Sequence, residues 1–316
     1  MDMSGANTEA MLRFHRFHER FNRSIKVQAI GLGLLADEVD AGTPAETIRD
    51  RLYARPDWLW GGMPDWTNPR VEIEGALRDI GQAGIVRSFS AFDLFLDELM
   101  AELTSWRDFS GATLLDAADT PTNDGEPGDT DRVERIYSML GASRARISDV
   151  WAVYAYFRRA RNCIAHREGI ASRSLVEAYA APELAPTLDR WIARTGDMTA
   201  PALVAVQEGG QIAFSHRQGI AASSTLRLIA IDLGRLVIEQ LGERGFVYLA
   251  ARRAFFDDPP LSATLEMTSM VKAFNNAMAT RYRVRDYDFR EGLRVLRGLD
   301  LTKKCSARFA ELKRQA

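Results

Sequence analysis

Three long stretches whose apolar residues fall three and four apart constrain this chain most. Such spacing gathers apolar side chains on one helical face, which must be buried against other helices. The first runs from about Thr8 to Val39, with Phe14, Phe17, Phe21, Ile25, Leu32, Leu35 and Val39 on its stripe. The second runs from about Val71 to Trp106, striped by Phe89, Phe92, Leu96, Leu99, Met100 and Leu103. The third holds Leu226, Ile229, Leu233, Leu236, Val237 and Leu241. A mainly α architecture follows.

Between and after these helices the text changes character. Residues 55–70 mix prolines and glycines with Trp58, Trp60 and Trp66, which reads as a packed irregular connector. From Ser110 to Asp131 the composition shifts to Gly, Pro, Thr and Asp, as expected of a mobile acidic loop. Thr130 and Asp131 are candidate N-caps for the helix that follows, and Gly141 marks a break in it. Two β-prone runs meeting at Gly209-Gly210 predict a small β-hairpin over 203–215. Phe246 to Phe256 reads as a further helix, stopped by D-D-P-P. Between Arg281 and Ala316, eleven Lys or Arg stand against five Asp or Glu, with Tyr282, Tyr287 and Phe289 among them. That extension is either a solvated helical appendage or a surface that follows phosphates and stacks bases.

The 316 residues carry a net charge of -2, so nucleic-acid binding would have to come from a local patch. Cys163 and Cys305 form no metal-spaced pair and no disulfide framework. The opening M-D-M-S-G-A-N-T-E-A is no secretory signal, and Ala29–Ala36 is far too short to cross a membrane, so a cytoplasmic location is expected. I-K-V-Q-A-I-G-L-G imitates a dinucleotide fingerprint but continues a helical stripe, where a real site needs strand, turn and helix. His15 and His18, with Glu19 beside them, lack a third ligand group; polar-face histidines on a surface helix explain them better. No cofactor or metal is implied.

One residue breaks the pattern. Ile147, Val150, Trp151, Tyr154 and Phe157 form an apolar stripe, and its next position is Arg161. A cation on a buried helix face is costly unless it has a partner or a task. Arg161-Asn162-Cys163-Ile164-Ala165-His166 has the form R-N-x-x-x-H and precedes Gly169, a common helix stop. An earlier helix of the F-x-x-F-L-x-E-L kind accompanies it. In these features the chain resembles the HEPN domains, helical bundles whose signature is Arg, four to six residues, then His. The resemblance implies metal-independent endoribonuclease activity by a homodimer whose motif helices meet, with Arg161, Asn162 and His166 as catalytic residues.

The chemistry suits those residue types. RNA carries its own nucleophile, the 2′-hydroxyl, so a proton carrier and a cation suffice. Histidine titrates near neutrality, and the guanidinium fork matches phosphoryl oxygens. Arg158, Arg159 and Arg167 would add phosphate contacts from the same helix end, although a solvated helix face would account for them as well. Asn162 is expected to shape the helix end or hold the arginine. Five helical residues turn a side chain by about 140°. Arg161 and His166 therefore converge only if the helix ends or bends before His166, or if two protomers each contribute. H-R-E-G-I-A at His166 recurs as H-R-Q-G-I-A at His216, but there Gln211 takes the place of the arginine, and a loop-to-helix transition is expected.

The resulting expectation is a mainly α, HEPN-like helical bundle with a small β-hairpin insertion and a basic helical C-terminal extension. Residues 1–65 form an N-terminal helical region and connector, 66–258 the HEPN-like domain, and 259–316 the extension. Its partners would be RNA, tRNA among the candidates, a second copy, and an inhibitory or antitoxin protein, in a toxin or antiphage-defence role; no membrane is involved. The alternative is a non-catalytic HEPN-like module that binds RNA, a nucleotide or a partner protein.

Overall fold

The structure, a computed structural model, describes residues 5–54, 67–111, 131–195, 203–264, 269–284 and 287–315. The tryptophan-rich connector and most of the 110–131 loop lie outside these residues. Helices follow in the order α1 (Glu9–Asp40), α2 (Ala45–Tyr53), α3 (Pro69–Ser110), α4 (Arg132–Met139), α5 (Ser148–His166) and α6 (Arg173–Tyr179). Then come α7 (Leu184–Thr195), α8 (His216–Ala251), α9 (Leu261–Thr264), α10 (Met270–Arg281), α11 (Phe289–Gly298) and α12 (Thr302–Gln315). The long stripes become α1, α3 and α8, and no helix among the described residues is long and apolar enough to cross a membrane.

The chain forms two compact units: 1–15 with 93–146 and 229–316, and 16–92 with 147–228. In the unit of 16–92 and 147–228, α5 packs on α6 and α7, burying Val153, Tyr156, Phe157, Ala160, Leu175 and Trp191. Phe89 of α3 stacks on Tyr154 of α5 with ring centroids 6.1 Å apart. Here α3 and α8 approach closely because small residues meet. Gly84 lies 3.5 Å from the Cα of Gly219, measured from where a Cβ would stand.

The dinucleotide-like stretch is continuous helix within α1, where a turn would be required. His18 corrects the surface reading of the histidine pair. It is buried, with Nδ1 2.8 Å from Ser223 Oγ and Nε2 3.1 Å from Asn22 Nδ2. A buried polar ring needs such partners, and helix periodicity alone does not reveal them. Among the described residues no group of three or more His, Cys, Asp or Glu could hold a metal ion.

The expected β-hairpin does not form; among the described residues there is only an isolated bridge between Ile170 and Gln211. Gly209 (φ +76°) does make the turn, with Gly210 N–H bonded to the Gln207 carbonyl at 2.9 Å. The second run then pairs with the chain leaving α5 instead of with the first run. Ala171 donates to Gly210 O, Gly209 to Ala171 O and Ile212 to Gly169 O, at 2.8–3.0 Å.

In the other unit, Asp131 caps α4, accepting from Val133 N–H at 2.8 Å, and Gly141 turns the chain with φ +66°. Asp97 and Glu98 pair with Arg132 and Arg13. Buried Asp232 accepts from Tyr137 Oη at 2.8 Å and from Arg146 Nε and Nη2 at 3.0 and 3.1 Å. The helix α8 kinks at Gly242 (φ +54°) and passes into a π-helical turn over Arg252–Phe256. The basic C-terminal segment belongs to this core, burying Phe274, Tyr282, Leu296, Cys305 and Leu312. Its aromatics are used in packing: Phe289 meets Phe274 edge-on at 5.8 Å, and Tyr287 Oη donates to Glu243 at 3.0 Å.

Candidate functional site at the end of helix α5

Two features end α5 where they do. Arg167 and Gly169 both donate their N–H to the Cys163 carbonyl, at 2.9 and 3.1 Å. Glu168 and Gly169 then take positive φ, +53° and +77°, which no helix continues. The positive φ favours glycine here, and a Cβ on Gly169 would stand 2.8 Å from Gln211 Nε2 and 3.2 Å from Gln82 Nε2, so a larger residue would also displace those two amides. Those two amides hold the turn: Gln211 Nε2 donates to the Glu168 carbonyl at 3.1 Å, and Gln82 Nε2 to the Ile212 carbonyl at 2.9 Å. Neither glutamine carries a sequence signal, since each acts on backbone far away in the chain.

On the helix itself, Val150, Val153, Tyr154, Phe157 and Ala160 are buried, and Arg161 follows as a half-buried side chain. Its Nη1 donates to Asn162 Oδ1 at 3.1 Å. Its Nε is buried with no hydrogen-bond partner. Burying a guanidinium N–H without an acceptor is unfavourable. No carboxylate among the described residues is paired with it, which leaves an anion-seeking group at the edge of the core.

His166 is the last residue of α5 and is exposed, as is Arg167; Arg158 and Arg159 are half-buried. Arg159 Nη1 reaches back to the Ala155 carbonyl at 3.5 Å, a weak contact that leaves the guanidinium largely uncommitted. The helix runs unbroken from Arg161 to His166, so an end or bend between them is not how the two would meet. Asn162, which accepts from Arg161, is four residues before His166 and on the same face of the helix.

Cys163 is buried, and its sulfur lies 3.3 Å from Ser172 Oγ and accepts from Ser172 N–H at 3.4 Å. Ser172 Oγ in turn accepts from Leu175 N–H at 3.3 Å, capping α6. His216, the echo of His166, opens α8 as a loop-to-helix transition. Burial, with Arg217 beside it, lowers its pKa from the ordinary value.

Against known protein families, curated proteins and solved structures, the chain has no match.

Proposed function

We propose that the chain is an HEPN-like helical bundle acting as a metal-independent endoribonuclease, with Arg161, Asn162 and His166 at its catalytic centre. The observation that carries the reading is the half-buried Arg161: it is held by Asn162 and has a buried Nε without an acceptor, five residues before the exposed His166. A phosphoryl oxygen would supply the acceptor that Nε lacks.

In the reaction, the 2′-oxygen of a ribose attacks the adjacent phosphorus and gives up its proton. The P–O5′ bond breaks, and the departing 5′-oxygen takes a proton. The products are a 2′,3′-cyclic phosphate and a 5′-hydroxyl end, with no oxidant or metal consumed. His166 carries one of the two proton transfers. Arg161 neutralises the charge that grows on the non-bridging oxygens. Arg158, Arg159 and Arg167 would hold flanking phosphates. A second protomer, presenting its own α5, would supply the other proton carrier. A toxin or antiphage-defence role, checked by an inhibitory partner protein, fits an activity that would harm its own cell.

A second reading has one observation in its favour. The helix continues through His166, so within one chain the Arg161 and His166 positions stay about 140° apart around the axis. A non-catalytic HEPN-like module that binds RNA, a nucleotide or a partner protein through Arg161 would need no convergence.

Incubation of the purified protein with total RNA and tRNA in excess EDTA decides between them. The proposal expects cleavage that leaves cyclic phosphate ends and disappears in Arg161→Ala and His166→Ala. Full cleavage by either variant, or RNA retention without cleavage by the parent, rejects it.

A further inference from the structure

The helix α1 has a second apolar line, opposite the face that it buries. Phe21 and Ile25 point into the core, whereas Val27, Ile30 and Leu34 are 64%, 63% and 63% exposed. They stand at i, i+3 and i+7, one continuous seam along the helix. Gly31 lies beside the seam, and a Cβ there would meet nothing within 4 Å. Scattered exposed apolar residues are ordinary; three in register along one helix mark a contact surface.

The charges flanking the seam say what covers it. Continued towards the N-terminus, the three-four spacing meets Arg23 and then Arg20; continued towards the C-terminus, it meets Asp37 and Glu38. All four are exposed. One end of the seam is therefore basic and the other acidic, with the apolar segment between them. Turned end for end, a second copy of the same helix sets basic against acidic at both ends and Val27, Ile30 and Leu34 against themselves. This self-complementarity is what a two-fold interface requires.

We infer that this face of α1 is a self-association surface, on which a second copy of the chain packs its own α1 in antiparallel orientation. Gly31 lets the two helices approach closely around Ile30. Three apolar residues make a smaller patch than the ~800 Å² per partner of standard-size interfaces, which places the association among weak ones. The inference stands apart from the ribonuclease reading, because it draws on no residue of α5.

Sedimentation equilibrium of the full chain at tens of micromolar tests it. The parent is expected at twice the chain mass, and Ile30→Glu at the monomer mass with an unchanged melting temperature. The double variant Arg20→Glu/Arg23→Glu is expected to be monomeric, and adding Asp37→Arg/Glu38→Arg is expected to restore the dimer. The Glu38–Arg51 pair lost in that variant is exposed on both sides and contributes little. A monomeric parent, a dimer indifferent to Ile30→Glu, or a full charge reversal that does not re-associate overturns the inference. The ribonuclease reading pairs α5 rather than α1, so its failure is read separately, as RNA cleavage that survives Arg161→Ala in a chain still dimeric through α1.

Discussion

Gly81 of α3 and Ser215, just before α8, touch backbone to backbone: a Cβ on Gly81 would stand 2.3 Å from the Ser215 carbonyl oxygen. No side chain can yield there, because the obstacle is main chain. Gly81→Ala is expected to cost about 2–3 kcal/mol by thermal or denaturant unfolding, as overpacked cores do. Gly75, on the same helix, has nothing within 4 Å of its Cβ position. Gly75→Ala should stabilise by about 0.5–1 kcal/mol, since alanine is the better helix residue. A stable Gly81→Ala would show that the contact is not held in solution.

Removing the acceptor from the Asp232 network should be felt strongly. Asp232→Ala leaves the buried Tyr137 hydroxyl and the Arg146 fork without their common partner. A loss of about 2–3 kcal/mol is expected, below that of a fully enclosed pair because Arg146 is 42% exposed. Asp232→Asn keeps one acceptor and should lose less. Equal stability of all three forms in urea would contradict the geometry.

Arg161 should be dispensable for folding. Its Nε is buried without a partner, so Arg161→Met replaces an unsatisfied donor with an apolar side chain of similar length. Stability within about 0.5 kcal/mol of the parent is expected, with RNA cleavage abolished. A variant that unfolds would make Arg161 a support of the fold.

Glu102 makes stability depend on pH. Its carboxyl accepts the Glu9 N–H at 3.1 Å, but burial pushes its pKa up from 4.5 to about 8, with Glu9 adding repulsion. The folded state therefore holds a proton that the unfolded state releases above about pH 4.5. The stabilisation is complete below that value and is lost as pH rises towards 8, at up to ~1.4 kcal/mol per pH unit. Glu102→Gln keeps an acceptor oxygen and should flatten the slope. Parallel pH profiles for parent and variant between pH 5 and 8 would refute the assignment.

How far the sequence revealed the fold depended on whether a residue's partner was local. The long helices were legible because stripe and cap act within a turn or two: the expected 8–39 and 71–106 became Glu9–Asp40 and Pro69–Ser110, and Asp131 capped α4 as expected. The hairpin was not legible, because Gln211 and Ile212 pair with chain some forty residues earlier. The burial of His18 is met by Ser223, 205 positions away. In the C-terminal segment the abundance of charge masked the residues that pack, among them Phe274 and Cys305. At the candidate site, the Arg161–Asn162 bond joins neighbours in sequence and could be anticipated. The locking amides of Gln82 and Gln211 could not.

The stitch between the chain leaving α5 and the chain entering α8 has a kinetic consequence. Its three backbone bonds share one short ladder, so none can open for long while the others hold. The amides of Ala171, Gly209 and Ile212 should exchange with deuterium as a single block, at one rate. The C-terminal turn of the motif helix, anchored by the same Gly169, is then as slow to unravel as that block, and His166 rides on a stub that does not fray by itself.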